Sequence, residues 1–153
     1  MIELSLLGGF VFSVGGEAVV GISQGSQRLI VFLALSDRLV TRHEVARALW
    51  PGSSTVHGSD SLRSAVSRLD SRISETVRVT AVGLGLAESV IVDFRHALSV
   101  ARWMVDRDTP QDGTDIGTAA VSALSKDLLP GWYDEWVIVA AEDWHQRRLH
   151  ALE

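Results

Sequence analysis

Between residues 59 and 73, Leu62, Ala65, Val66, Leu69 and Ile73 recur at intervals of three and four, and the positions between them carry Ser64, Ser67, Arg68 and Ser71, flanked by Arg63 and Arg72. A 3.6-residue repeat gathers the apolar set on one narrow stripe and turns the polar set outward, whereas a strand would scatter both over its two faces. The pattern therefore predicts one amphipathic helix over Ser59–Ile73. Just upstream stands the clearest helix start in the chain. Thr41 and Glu44 have capping-box spacing, and Val40 and Val45 form the matching hydrophobic staple. This helix is expected to end at Trp50, before Pro51-Gly52, with Val45, Ala48 and Leu49 inward. The stretch Pro51–Gly58 then reads as the connection between the two helices.

The rest of the chain supplies the surroundings. Ile2, Leu4 and Leu6 alternate with Glu3 and Ser5, as in a half-buried strand. Phe10–Val14 and Ala18–Val20 flank Gly15-Gly16, a hairpin signal. Ser26–Ser36 places Leu29, Ile30, Leu33 and Ala34 at helical spacing. Val77–Thr80 and Val90–Val92 are rich in β-formers around Gly83-Leu84-Gly85-Leu86, which reads as a hairpin or as two short strands around one. Helices are expected over Arg95–Val105, Thr118–Leu124 and Asp134–Leu152, with Asp106–Gly117 as linker and Val137, Ala141, Trp144 and Leu149 on one side of the last. The order helix, connection, helix, hairpin is that of a winged helix-turn-helix. The expected class is α+β: a winged helix-turn-helix over residues 1–95, with an N-terminal antiparallel sheet and a C-terminal β-hairpin wing, then a short all-α segment over residues 96–153.

Charge divides the chain in the same way. Up to His96 nine acids face nine arginines, and the net charge of −5 resides wholly in the remainder. A neutral front part can still meet a polyanion if its arginines share a face, with a modest electrostatic contribution. The chain has no cysteine, which removes disulfides and thiolate metal sites and agrees with a cytoplasmic location. No apolar run reaches the roughly 18 residues of a membrane span, and the N-terminus does not read as a signal peptide.

A helix that enters the major groove needs a small, polar, positively charged outer face. Ser64, Ser67 and Ser71 permit close approach, and Arg63, Arg68 and Arg72 can fork to guanine or hold phosphates, with Arg68 central to the expectation. Arg42 and His43, at the positive end of the preceding helix, are candidates for a phosphate. Catalytic readings fare worse. Gly21-Ile22-Ser23-Gln24-Gly25 matches G-x-S-x-G, yet only about twenty residues precede it, too few for an oxyanion loop and a large parallel sheet. Arg47 stands where H-E-x-x-H needs its second histidine, and Gly83-x-Gly85 lacks a third glycine. His145 and His150 have no evident third ligand, and Trp132, Tyr133 and Trp136 read as core. No catalytic residue, metal or cofactor is expected.

Leu6-Leu7-Gly8-Gly9-Phe10, Ala48-Leu49-Trp50-Pro51, Ser61–Leu69 and Val92-Asp93-Phe94 resemble the antibiotic-pathway regulators called SARP proteins, in which an OmpR-type winged helix precedes a helical bacterial transcriptional activator domain. Leu128–Val137, with its Trp/Pro/Gly spacing, and Ala151-Leu152-Glu153 resemble the first part of that second domain. The resemblance implies a sequence-specific regulator of pathway genes. It implies a homodimer on double-stranded DNA, and RNA polymerase contacting the loop after the second helix, here Pro51, Gly52, Ser53, Ser54 and Thr55. This chain departs from the pattern at the expected wing tip, Ala81-Val82-Gly83, which is uncharged, and at Asp70, where the family often has arginine. An activator domain that stops after its first helices is expected to leave Val137, Trp144 and Leu149 uncovered, unless the last helix folds back or dimerises. The neutral wing, Asp70 and the acidic C-terminal part also fit a different use, a winged-helix interaction module that acts through another regulator.

Overall fold

The computed structural model describes residues 1–106 and 121–153. Strands β1 (Ile2–Ser5), β2 (Val11–Val14) and β3 (Glu17–Ala18) come first, then helices α1 (Gln24–Ser36), α2 (Arg42–Leu49), α3 (Thr55–Ser67) and α4 (Ser71–Ser74). Strands β4 (Val77–Val79), β5 (Leu84–Leu86) and β6 (Ile91–Val92) follow, and α5 (Asp93–Asp106) and α6 (Glu135–Leu152) complete the described elements. One sheet has the order β3-β2-β1-β6, and β4 and β5 form a separate antiparallel hairpin. The class is α+β, as expected. The expected linker beyond Asp106 and residues 118–120 of the expected short helix lie outside the described residues, while 121–124 are helical.

The chain packs as two compact units, one of residues 1–3 and 12–91, the other of residues 4–11 and 92–153. In the first unit, Gly15 and Gly16 turn β2 into β3 with φ of 60° and 87°, the left-handed pair that a two-residue hairpin turn requires. Ser23 caps α1 by accepting from the Ser26 N–H at 3.2 Å, which is the structural role of the serine in the G-x-S-x-G segment. Leu29, Ile30, Leu33 and Ala34 of α1 are buried, as their spacing predicts. Arg28 of α1 donates to the Leu49 carbonyl at 2.7 Å and so satisfies the C-terminal end of α2. The hairpin is anchored by its second strand, where Val40 and Leu84 exchange backbone hydrogen bonds of 2.7 and 2.8 Å.

In the second unit the two glycine- and leucine-rich segments quoted above meet. Leu7 bridges Leu128, the Gly8 N–H donates to the Asp127 carbonyl at 2.8 Å, and the Leu129 N–H donates to the Leu6 carbonyl at 3.0 Å. Asp93, first residue of α5, accepts from the Ser5 hydroxyl and the Leu6 N–H, each at 2.8 Å, and from the Leu7 N–H at 3.3 Å. Phe94, Ala97 and Ala101 form the buried stripe of α5. Helix α6 packs on α5, so the expectation of an uncovered last helix is corrected for Val137 and Trp144, which are 1% and 0% exposed. Leu149 does remain 47% exposed and lies off the inward face. Its expected place is taken by half-buried Arg148, whose guanidinium pairs with Asp127. The expected aromatic core cluster also divides. Trp132 is half-buried against Phe10 and Trp136 is half-buried, but Tyr133 is 85% exposed.

Candidate nucleic-acid interface

The helix of interest begins earlier and ends earlier than its apolar spacing predicts. Ser54 accepts from the His57 N–H at 3.2 Å and starts α3 at Thr55, not at Ser59. Gly58, which reads in sequence as the end of a loop, is instead buried at the end of the first turn of α3. A Cβ added there would stand 3.4 Å from the Ala46 Cβ, at the limit of ordinary contact, so Gly58 lies directly against α2. For the same reason Ala46 joins Val45 and Leu49 as a buried residue of α2, and the expected Ala48 is only half-buried.

The C-terminal end is set by Asp70. Its carboxylate accepts from the Arg72 N–H at 2.9 Å and opens the separate helix α4. A short side chain that offers the backbone an acceptor outside the helix competes with continued helix. Arg68 is thereby the C-cap of α3, with φ −90° and ψ 0°. The expected continuous helix Ser59–Ile73 is thus two helices, although Leu62 and Ile73 keep their buried places.

The sequence-predicted contact residues accordingly fall into groups. Arg63, Ser64 and Ser67 are exposed on α3, and Arg68 is exposed at its end. Ser71 and Arg72 are exposed on α4. Arg72 also reaches back to Asp70, with Nη2 at 2.7 Å from one carboxylate oxygen. That bond, together with the Arg72 N–H, lowers the Asp70 carboxyl from 3.8 to about 2, and the same pairing pushes the Arg72 guanidinium up. The positive charge of Arg72 is locally cancelled. Arg42 and His43 are exposed in the first turn of α2, where Arg42 donates to the Thr80 carbonyl at 2.8 Å and ties α2 to the hairpin. Pro51, Gly52, Ser53 and Ser54 form the exposed connection, but Thr55 belongs to α3.

The hairpin is a compact wing. Thr80 Oγ1 accepts from the N–H groups of Val82 and Gly83, at 3.2 and 3.1 Å, and closes the tip. Val82 is 71% exposed there. Between α3 and this wing runs an open cleft of about 420 Å³ lined by Leu62, Val66, Val79 and Leu84, with Arg42 and Arg63 at its margin. Val56, His57 and Asp60 are exposed on α3 and are absent from the sequence-based set. For Val56 and His57 the signal was the capping Ser54, but the inward position of that first turn is Gly58, so no apolar residue marks a helix there; Asp60 lies within the expected helix, and its charge kept it out of a set chosen to meet a polyanion.

With this geometry established, comparison with solved structures gives a likeness of fold. The chain is similar to Mycobacterium tuberculosis EmbR, solved in complex with a low affinity phosphopeptide, with a TM-score of 0.68 and 17% identity. The match covers 98% of this chain and 43% of that one, so the chain spans less than half the length of EmbR. It is a likeness of fold and agrees with the winged-helix arrangement described here. No protein-family model and no curated protein matches the chain. Among the described residues no group of three histidines, aspartates or glutamates is placed to hold a metal ion, and no helix is long and apolar enough to cross a membrane.

Proposed function

We propose that this chain is a DNA-binding transcription regulator, without catalytic activity, that places α3 in the major groove. The observation that carries the reading is the seating of α3. Its buried side, with Gly58 and Leu62, lies against α2 and the core, Ser54 caps it, and Asp60, Arg63, Ser64 and Ser67 stand exposed on it. A recognition helix contacts base edges chiefly with its N-terminal residues, and the early start of α3 at Thr55 provides such residues. In this reading Val56 and Asp60 supply that N-terminal part, Arg63, Ser64, Ser67 and Arg68 of the C-terminal half meet the duplex beside them, and Arg42 and His43 lie toward a phosphate. Ser71 and Arg72 take peripheral places on α4, where Asp70 moderates Arg72. The proposed domain assignment is that residues 1–95 bind DNA, with residues 4–11 and 92–95 of that stretch packed in the second unit, and that residues 96–153 form a helical activator-like part. The protein works in the cytoplasm as a homodimer, meets RNA polymerase through the connection Pro51–Ser54, and regulates pathway genes.

The test is a gel shift of the full chain on the duplex upstream of its own gene, across a salt series. Sequence-preferring binding whose affinity falls steeply with salt is expected. Absence of a shift at low salt overturns the reading. The uncharged, exposed Val82 at the wing tip and the apolar cleft beside α3 favour a second reading, a winged helix that pairs with another regulator. That reading expects no shift and a stable heteromeric complex.

A further inference from the structure

The exposed ridge of α3 consists of Val56, Asp60, Arg63 and Ser67, spaced by four, three and four residues, so that they line up along one face. Opposite them lie the buried Gly58 and Leu62. Asp60 sits in the middle of this ridge, its side chain 62% exposed, with the Arg63 guanidinium 3.7 Å away and 80% exposed. An acid at the centre of a face turned toward a polyanion raises the energy of binding unless it meets a hydrogen-bond donor there. In the major groove the base edges offer such donors, and the N4 amine of cytosine, on a base that presents no acceptor of its own there, is the one a carboxylate matches. Arginine matches guanine O6 and N7. The pair Asp60–Arg63 carries no net charge, so it contributes discrimination among bases more than attraction to phosphates.

We propose that Asp60 is a specificity-determining residue that reads a cytosine N4 amine, next to a guanine read by Arg63. This rests on the placement of α3 in the major groove. Val56, 69% exposed one turn earlier, is available for the apolar contact that a thymine methyl group offers. On this assignment the carboxylate lowers affinity for mixed sequence and sharpens selectivity, because every duplex lacking cytosine at that position leaves Asp60 desolvated and unpaired.

The experiment is a binding selection from a pool of duplexes with a randomised core, run in parallel on the full chain and on its Asp60→Asn and Asp60→Ala variants. Asp60 is a surface residue, and circular dichroism verifies that both variants keep their helix content. The expected wild-type site has cytosine at one position, favoured roughly tenfold over other bases. Asn pairs with adenine N6 and N7, so Asp60→Asn should move the preference at that position alone from cytosine to adenine. Asp60→Ala should flatten it and raise affinity for mixed-sequence duplex severalfold. If wild type and both variants enrich the same bases at every position, the assignment of Asp60 is overturned while DNA binding by α3 stands. If wild type enriches no sequence even at low salt, DNA binding by α3 fails and the assignment falls with it.

Discussion

Trp144 of α6 stands edge-on to Phe94 of α5, with ring centroids 5.4 Å apart and planes at 82°, and its indole N–H donates to the Lys126 carbonyl at 3.0 Å. Edge-to-face geometry aligns the positive rim of one ring with the negative face of the other, and the hydrogen bond satisfies the one polar atom of the buried indole. The contact joins α5, α6 and the segment before Leu128. It makes the aromatic at position 144 the centre of the second unit's core.

Replacing Trp144 by Ala should destabilise the protein by about 3–5 kcal/mol, through lost burial and the cavity left behind. Trp144→Phe keeps an aromatic ring but leaves the Lys126 carbonyl without its donor, and should cost about 1–2 kcal/mol. Urea unfolding of the full chain, followed by far-ultraviolet circular dichroism, measures both.

Asp93 collects a hydroxyl and two backbone N–H groups from residues 5–7, at the point where α5 begins. Asp93→Ala orphans these donors and should cost about 2–3 kcal/mol, and Asp93→Asn, which keeps one acceptor oxygen, should cost less. Amide hydrogen exchange at Leu6 and Leu7 should quicken in the alanine variant. Unchanged protection at both amides is the contrary result.

The wing tests sterics apart from chemistry. A Cβ on Gly83 would lie 2.2 Å from the Val40 carbonyl oxygen, a backbone atom that is itself held in the bridge to Leu84. A Cβ on Gly85 would lie 2.9 Å from Leu39 Cδ2, the far end of a side chain that can turn aside. Gly83→Ala should therefore cost about 3 kcal/mol and detach the hairpin, and Gly85→Ala about 1 kcal/mol or less. Equal melting temperatures for the two variants would count against the seating of β5 described here.

Asp70 titrates in the folded chain at about 2, below its ordinary 3.8, because Arg72 bonds to its charged form. A folded pKa that is depressed contributes stability above the unfolded value, and that contribution is lost as pH falls through the folded one. The start of α4 should thus hold at pH 4 and loosen toward pH 2. A carbon-detected carboxyl titration should place Asp70 near 2 in wild type and part of the way back toward its ordinary value in Arg72→Ala, where the backbone N–H of residue 72 still donates to it. A midpoint that does not move in the variant would remove Arg72 as the cause.

Much of the core was legible because amphipathic periodicity is a local consequence of helix geometry. Leu29, Ile30, Leu33 and Ala34 of α1 and the Thr41 cap of α2 are where their spacing places them. The Glu44 half of the capping box was not, since that carboxylate pairs with Arg38 at 3.0 Å, a partner outside the helix. The candidate site was legible in part. Ser64 and Ser67 are exposed as spacing predicts, but Val56 lay ahead of the expected start at Ser59, and Asp60, inside the expected helix, was left out because a carboxylate opposes a polyanion.

Residue order alone thus determined the class of the fold, the succession of helix, connection, helix and hairpin, and the serine and arginine composition of the helix. These depend on interactions within a few residues, where spacing and caps suffice. Only the tertiary structure decided where α3 starts and stops, which side chains its outer ridge presents, and that Trp144 finds Phe94 as a partner. Those outcomes depend on close approach between segments far apart in the chain, and no local pattern encodes which surface a glycine or a tryptophan will meet.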